Sequence, residues 1–232
     1  MTSQRGSLIA LLGLTLVLSA GTRAAADWWY AVYEADEHVG YCHVVESSAN
    51  LGGALVKRFT AVTEARRDKA GQYTFMQTED RYRRSDTLVY FTSTVTQKNK
   101  TMQVKATRTA QGFSFTITEG EKVEAVEVAV ASFAMVEAEE ALAKLAAPGS
   151  KIEVQTLDLE TGKVRKTKIE YVADQTLEAK GESVPTKVLR AKGAFGGATF
   201  WFAEDGSVVK RVGETPLGKV TLMLTDAAAA RP

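Results

Sequence analysis

The chain has 232 residues, with 29 Lys and Arg against 28 Asp and Glu, so its formal net charge is close to zero. This balance argues against a nucleic-acid-binding protein, which usually carries a clear basic excess. A chain of this length can bury a sizeable core without disulfides, and its single cysteine, Cys42, can form no intramolecular bridge. We interpret Cys42 as a small buried core residue rather than a link to another chain.

Residues 1–26 have the pattern of a secretory signal peptide. Arg5 supplies a positive charge, residues 8–18 form a short apolar run, and residues 24–26 end in a small-residue cleavage pattern. A membrane anchor would need about 20 apolar residues, so cleavage near Ala26 is favoured over an uncleaved anchor. We therefore expect an exported protein, periplasmic or extracellular, with no transmembrane segment after cleavage.

Residues 27–47 are predicted to form a β-hairpin at the start of the folded domain. Two aromatic and β-branched runs flank a short polar turn, which is typical of paired strands. Side chains alternate along a strand, so Trp28, Tyr30 and Val32 share one face. We interpret this hairpin as the opening edge of a sheet.

Strand-like segments separated by short turns continue along the chain and predict an antiparallel meander. Phe113, Phe115 and Ile117 share one face of their strand, and Phe200 and Phe202 share a face of another. Residues 204–207 contain Asp-Gly, a strong hairpin signal. The predicted strands after the first hairpin are 54–66, 72–84, 87–97, 101–109, 113–118, 122–131, 151–159, 164–172, 175–179, 185–191, 198–203, 208–212 and 219–225.

One helix is predicted at residues 136–147, which are rich in Ala, Glu, Leu and Lys and end at Pro148-Gly149. Leu142 and Leu145 can lie along one side of it. No linker or composition break divides the chain. We predict one mainly β domain over residues 27–226, followed by a frayed C-terminal tail at 227–232.

The order of these features resembles that of exported bacterial proteins of unknown function related to the lipoprotein-carrier (LolA, LppX) half-barrels. The resemblance lies in the opening Trp-Trp-Tyr-x-Val-Tyr at residues 28–33, the Val-Gly-Tyr at 39–41, the helix closed by Pro-Gly, and the strands at 154–163 and 199–210. It implies a single curved antiparallel sheet that stays open, a half-barrel, with the inserted helix covering the concave face. In carrier members of the superfamily that concavity binds acyl chains.

Nothing in the sequence predicts catalysis or a metal. Adjacent strand residues point to opposite faces, so Cys42 and His43 cannot form a nucleophile–base pair. Asp36, Glu37, His38 and His43 could ligate a metal in principle, but they match no established ligand spacing and favour a polar turn. We predict no enzyme, no catalytic residue, no metal and no cofactor.

The remaining functional signal is apolar surface that would face the concave side of the sheet. A filled core is favoured there, and a cavity for an apolar ligand is the alternative. The leading functional hypothesis is a non-enzymatic envelope protein that binds or carries a lipid, lipoprotein or other apolar ligand. The second is an envelope protein-interaction or structural module with a filled core, which would engage a protein partner. The candidate ligand-lining residues are Trp28, Tyr30, Val32, Phe113, Phe115, Ile117, Leu142, Leu145, Phe200 and Phe202.

Overall fold

A computed structural model describes residues 27–68, 70–85, 87–97, 100–129, 144–193, 196–215 and 218–232. The predicted signal peptide lies outside the described residues. So do Leu142 and the part of the predicted helix at 136–143. Leu145, near the end of that predicted helix, is described and buried.

Fourteen strands form one antiparallel sheet, as the alternation of apolar and polar residues predicts. The fold is therefore mainly β. The strands are β1 (Asp27–Glu34), β2 (Glu37–Leu51), β3 (Ala54–Arg67), β4 (Tyr73–Arg84), β5 (Thr87–Gln97), β6 (Lys100–Arg108), β7 (Gly112–Glu119), β8 (Lys122–Ala129), β9 (Lys151–Asp158), β10 (Lys163–Ala179), β11 (Glu182–Gly193), β12 (Gly196–Ala203), β13 (Val208–Thr215) and β14 (Gly218–Thr225).

The first strand lies in the middle of the sheet, which corrects the prediction that the opening hairpin forms an edge. Strand β1 pairs with β2 on one side and with β14, the last strand, on the other. The order across the sheet is β8-β7-β6-β5-β4-β3-β2-β1-β14-β13-β12-β11-β10-β9. The edges are β8 and β9, which do not pair within the described residues, so the sheet stays open between them.

Two strand boundaries differ from the sequence prediction for an identifiable reason. The predicted strands at 164–172 and 175–179 are one 17-residue strand, β10. Its register against β11 shifts between Tyr171 and Ala173, which marks a β-bulge. A bulge interrupts the alternation of faces, and in the sequence this interruption looks like the end of a strand.

The tail, predicted to be frayed, is structured. Ala227–Ala230 form one helical turn, α1, and Ala230 is fully buried. The turn contacts β1 and β2. It is the one helix whose bounds fall inside the described residues.

The inner face of the sheet carries two apolar clusters. The first lies mainly on β1–β8 and includes Tyr30, Phe75 and Phe115. The second lies mainly on β10–β13 and includes Phe200 and Phe202, with Leu145 packed against it. Cross-strand partners place both clusters on the same face, because the row Val32, Leu222, Arg211, Phe200, Leu189 and Tyr171 runs continuously from β1 to β10.

Candidate functional site

The turn between β9 and β10 lies inside the curved sheet and not on its surface. Glu160, in this turn, is only 6% exposed, and Leu159 belongs to the first apolar cluster. The amide nitrogen Nε2 of Gln77, on β4, donates a hydrogen bond of 3.1 Å to Glu160 Oε1. A Cβ placed on Gly162 would lie 3.1 Å from Cγ of Phe115, on β7. The turn therefore packs against the opposite half of the sheet.

Both faces of the β9–β10 hairpin carry buried side chains near its turn, which is unusual for a hairpin end. Leu157 packs into the first cluster. Thr167 lies on the other face of the hairpin, where its hydroxyl hydrogen-bonds that of Thr156 at 2.8 Å, and it too is buried. We call residues 157–164 the hairpin tip. Because Leu157, Leu159 and Glu160 are buried against the sheet, the tip fills interior space that the curved sheet would otherwise leave open.

Polar side chains meet the hairpin tip at its inner end. Gln77 Nε2 also donates to Glu79 Oε1 at 2.7 Å, and Arg81 Nη2 donates to Glu79 Oε2 at 2.8 Å. Both carboxylate oxygens of Glu79 therefore accept hydrogen bonds from side chains of its own strand. With Glu160 and Arg211, these residues form what we call the interior polar cluster.

The surroundings of Glu160 raise the pKa of its carboxyl group to above neutral pH. Burial, followed by the nearby charges of Glu79 and Asp158, raises its pKa from an ordinary 4.5 to about 8. The hydrogen bond from Gln77 and the charge of Arg211 oppose this shift. A carboxyl group with this pKa is mostly protonated at pH 7, so it can donate a hydrogen bond as well as accept one.

Arg211 projects from β13 onto the inner face and is 5% exposed. Burial lowers its pKa to about 10, which still leaves it positively charged at neutral pH. Its guanidinium carbon lies 5.9 Å from the centre of the Phe200 ring. Within the described residues it makes no ion pair and no side-chain hydrogen bond, and its Nε atom is buried without a partner.

Two further interior oxygens have no hydrogen-bond partner among the described residues: Glu160 Oε2 and the hydroxyl of Tyr30. Leaving a buried polar atom unsatisfied costs about 1–3 kcal/mol, so proteins usually avoid it. The interior polar cluster and its surroundings therefore hold unused donor and acceptor capacity.

Cys42 carries the single thiol and lies near the interior polar cluster, where its burial makes it unreactive. Cys42 pairs across the sheet with Tyr30 on one side and Thr63 on the other, and Thr63 pairs with Gln77. Cys42 is buried, as predicted. Burial raises the pKa of its thiol to about 11, so the thiolate needed for nucleophilic attack is scarce at neutral pH.

The two histidines lie on the outer side of the opening hairpin. The ring of His43 stacks on Trp29 with centroids 3.8 Å apart, and its Nε2 lies 2.7 Å from Asp27 Oδ1. It is separated from Cys42 by strand alternation, as predicted. The Nε2 of His38 lies 3.0 Å from the carbonyl oxygen of Ala230, at the end of the tail turn.

No group of three or more His, Cys, Asp or Glu side chains in the described part of the chain is arranged to hold a metal ion. The candidate ligands Asp36 and Glu37 lie at the turn between β1 and β2 and are exposed. The histidines beside them instead contact the tail and the outer aromatic surface.

The C-terminal tail is held by its arginine as well as by Ala230. The guanidinium carbon of Arg231 lies 4.9 Å from the Trp29 ring centre and 5.4 Å from that of Tyr41. We expect Arg231→Ala to lower stability by about 1 kcal/mol, the typical strength of exposed cation–π contacts, which for a chain of this size is a drop in Tm of about 2–4 °C. Thermal unfolding followed by tryptophan fluorescence measures it.

A matched control is Arg84→Ala, because Arg84 is exposed on β4 and contacts no ring among the described residues. We expect it to leave the Tm within about 1 °C. Equal effects of the two substitutions would show that Arg231 does not hold the tail through the rings.

The structure divides the predicted ligand-lining residues between the two clusters. Tyr30, Val32, Phe113 and Phe115 are buried in the first cluster, with Trp28 and Ile117 packed against it. Leu145, Phe200 and Phe202 belong to the second cluster. Leu142 lies outside the described residues.

Sequence reasoning missed the interior polar cluster. On β4, Gln77 shares the inward face of Phe75, and Glu79, Arg81 and Arg83 follow on that same face. A run of polar side chains at inward positions was the available signal. The turn at Glu160 has the polar residues of a surface turn, although the apolar residues Leu157 and Leu159 lie just before it.

Of the helices within the described residues, none combines the length and apolar character that a membrane span requires.

No curated protein matches the chain significantly. The fold is similar to the crystal structure of a beta-barrel-like protein of domain of unknown function DUF1849 from Brucella abortus. The TM-score is 0.57 at 11% sequence identity, with 86% of this chain and 95% of that chain covered. Residues 30–225 match the family DUF6134, a domain of unknown function, and the chain belongs to that family.

Proposed function

We propose that this protein is an exported, non-enzymatic binding protein of the bacterial envelope, and that it takes a lipid or another apolar ligand on the inner face of its curved sheet. The hairpin tip occupies part of that interior. The second apolar cluster, beside the open side of the sheet, is the ligand-contacting surface. The resemblance to the LolA and LppX half-barrels supports this assignment, as does the predicted signal peptide at residues 1–26.

One observation carries the proposal: the hairpin tip fills the interior, yet polar atoms there have no hydrogen-bond partner among the described residues. A permanent core element is expected to match its surroundings, with every buried polar atom paired. Here Glu160 meets a neighbouring carboxylate, Glu79, and its Oε2 atom lacks a partner in the described structure. A segment held by such contacts is easier to displace than one packed only by apolar side chains.

A reversible cross-link tests the displacement directly. A Cβ on Gly162 would lie 3.5 Å from Phe115 Cβ, within the range that a disulfide spans. In a Cys42→Ser background, Gly162→Cys with Phe115→Cys should lock the tip when oxidised. We expect the locked protein to bind the neutral apolar probe N-phenyl-1-naphthylamine at least tenfold more weakly than the reduced protein.

The reduced double variant is its own control, since it carries the same substitutions, and circular dichroism establishes that both forms are folded. Native mass spectrometry of the unmodified protein provides an independent measure of bound lipid. If the reduced and the unmodified proteins both fail to bind the probe and carry no lipid, the binding proposal is wrong. If the locked protein binds as well as the reduced one, the tip does not occupy the ligand's position.

The alternative, an envelope interaction module with a filled core, is favoured by the complete burial of Phe113 and Phe115, both 0% exposed. A partner could then add a strand to β8, an edge strand whose Val123 is 67% exposed. Mild cross-linking in cells separates the two functions. A stoichiometric protein partner without bound lipid supports the interaction module.

A further inference from the structure

Among the described residues, Arg211 is a buried charge with no ion-pair partner. The acidic side chains that raise its pKa most are Glu160 and Glu79, and neither forms an ion pair with it in the described structure. Glu79 is already bound by Arg81 and Gln77. Glu160 is mostly protonated at neutral pH, because its pKa is raised to about 8. Within the described residues, the interior therefore keeps one positive charge that no ion pair neutralises.

Burying an unpaired charge is costly, and proteins normally pair such charges or use them to bind a ligand. The guanidinium group carries several donors in a planar fork that fits carboxylate and phosphate oxygens. Arg211 on the inner face therefore offers these donors to one anionic group.

The surface next to Arg211 is apolar. Phe200 lies under the guanidinium, and it stacks on Phe202 with ring centroids 5.7 Å apart. Leu189, Tyr171 and Leu145 complete the second cluster around these rings. A ligand with its charged end at Arg211 would place its remaining atoms against this cluster.

We propose that the interior binds an amphiphile with a single anionic headgroup, held by Arg211, and an apolar portion that contacts the second apolar cluster. This rests on the proposed function and adds the chemistry of the headgroup to it. The headgroup is a carboxylate or a phosphate, since both present oxygens to a guanidinium in the same way.

Four probes separate the contributions of chain and charge: dodecanoate, dodecyl phosphate, dodecanol and acetate, measured by displacement of N-phenyl-1-naphthylamine or, for acetate, by calorimetry. We expect one of the two anionic dodecyl probes to bind at least tenfold more tightly than dodecanol, and acetate to bind too weakly to measure. The preferred anion identifies the headgroup. Equal binding of all three dodecyl probes would overturn the headgroup site and leave the apolar binding function standing. Failure of every dodecyl probe would overturn both.

Arg211→Met should remove the preference for the anion, to within about threefold of dodecanol, while dodecanol binding persists. The same variant should keep or raise the Tm, because it removes an unpaired buried charge. Arg81→Met is the matched control, since Arg81 is a largely buried arginine of the inner face that, unlike Arg211, pairs with Glu79, and we expect it to lower the Tm.

Arg211→Lys keeps the charge without the fork and should retain part of the preference for the anion. An Arg211→Met protein that unfolds or loses several degrees of Tm would show that Arg211 is a structural residue, and would overturn the proposal. So would an Arg211→Met protein that still prefers the anion tenfold.

Discussion

Gly40→Ala should strongly destabilise the sheet. Gly40 lies in β2 between two paired strands, opposite Val32 on β1 and Ala65 on β3. A Cβ there would lie 2.0 Å from the carbonyl oxygen of Glu64 and 2.6 Å from the Cα of Ala65, both backbone atoms. Because a backbone cannot rotate away as a side chain can, strands β2 and β3 must separate. We expect a loss of about 3–5 kcal/mol, measured by urea unfolding.

The matched control is Gly193→Ala, in β11. A Cβ at Gly193 would have its nearest neighbours at 3.6 and 3.7 Å, which is ordinary contact. We expect this variant to change stability by less than about 1 kcal/mol. If the two glycine variants were equally stable, the close approach of β2 and β3 at Gly40 would not exist in solution.

The close approach at Gly40 lies beside two backbone irregularities in the middle of the sheet. The register between β1 and β2 shifts just beyond Val32, which marks a bulge, and Arg66 adopts a positive φ of 60° beside Ala65. Bulges increase the local twist and bend of a strand. Gly40 allows the neighbouring strand to approach at this bend, which helps to curve the sheet around its interior.

Most strands could be predicted because each is specified locally. Alternation of apolar and polar residues within β4, β6 and β7 marks both the strand and its buried face. The order of strands could not be predicted in the same way. The pairing of β1 with β14 joins residues almost 200 positions apart, such as Trp29 and Thr225, and no local pattern encodes it.

The position of the hairpin tip depends on the same long-range pairing. Glu160 meets Gln77, which is 83 positions away in the sequence, only because the sheet curves until β10 faces β4. Seen alone, residues 158–163 have the polar character and the glycine of a surface turn. The predicted lining residues, by contrast, were placed on the inner face by strand alternation, which is a local property.

Glu160→Gln should change the pH dependence of stability more than any other single substitution that preserves shape. In the unfolded chain Glu160 releases its proton near its ordinary pKa of 4.5, whereas in the folded protein it keeps the proton up to about pH 8. Between pH 4.5 and about pH 8, the carboxyl of Glu160 is therefore ionised only in the unfolded state. Stability therefore falls as the pH rises through this window, by up to about 1.4 kcal/mol per pH unit, and the loss is complete above about pH 8.

Glutamine can still accept the hydrogen bond from Gln77 but has no proton to lose. We therefore expect the variant to be more stable than the unmodified protein by a few kcal/mol at pH 8 and nearly equal to it at pH 4.5, in urea unfolding series.

Glu182→Gln serves as the control for this series, because Glu182 is exposed at the start of β11. Its stability curve should run parallel to that of the unmodified protein over the whole pH range. If the Glu160→Gln curve ran parallel too, the carboxyl of Glu160 would reach water in solution and the hairpin tip would not be buried. A steeper fall in the unmodified protein alone would show that burying this tip has a pH-dependent cost, the property expected of a segment that a ligand displaces.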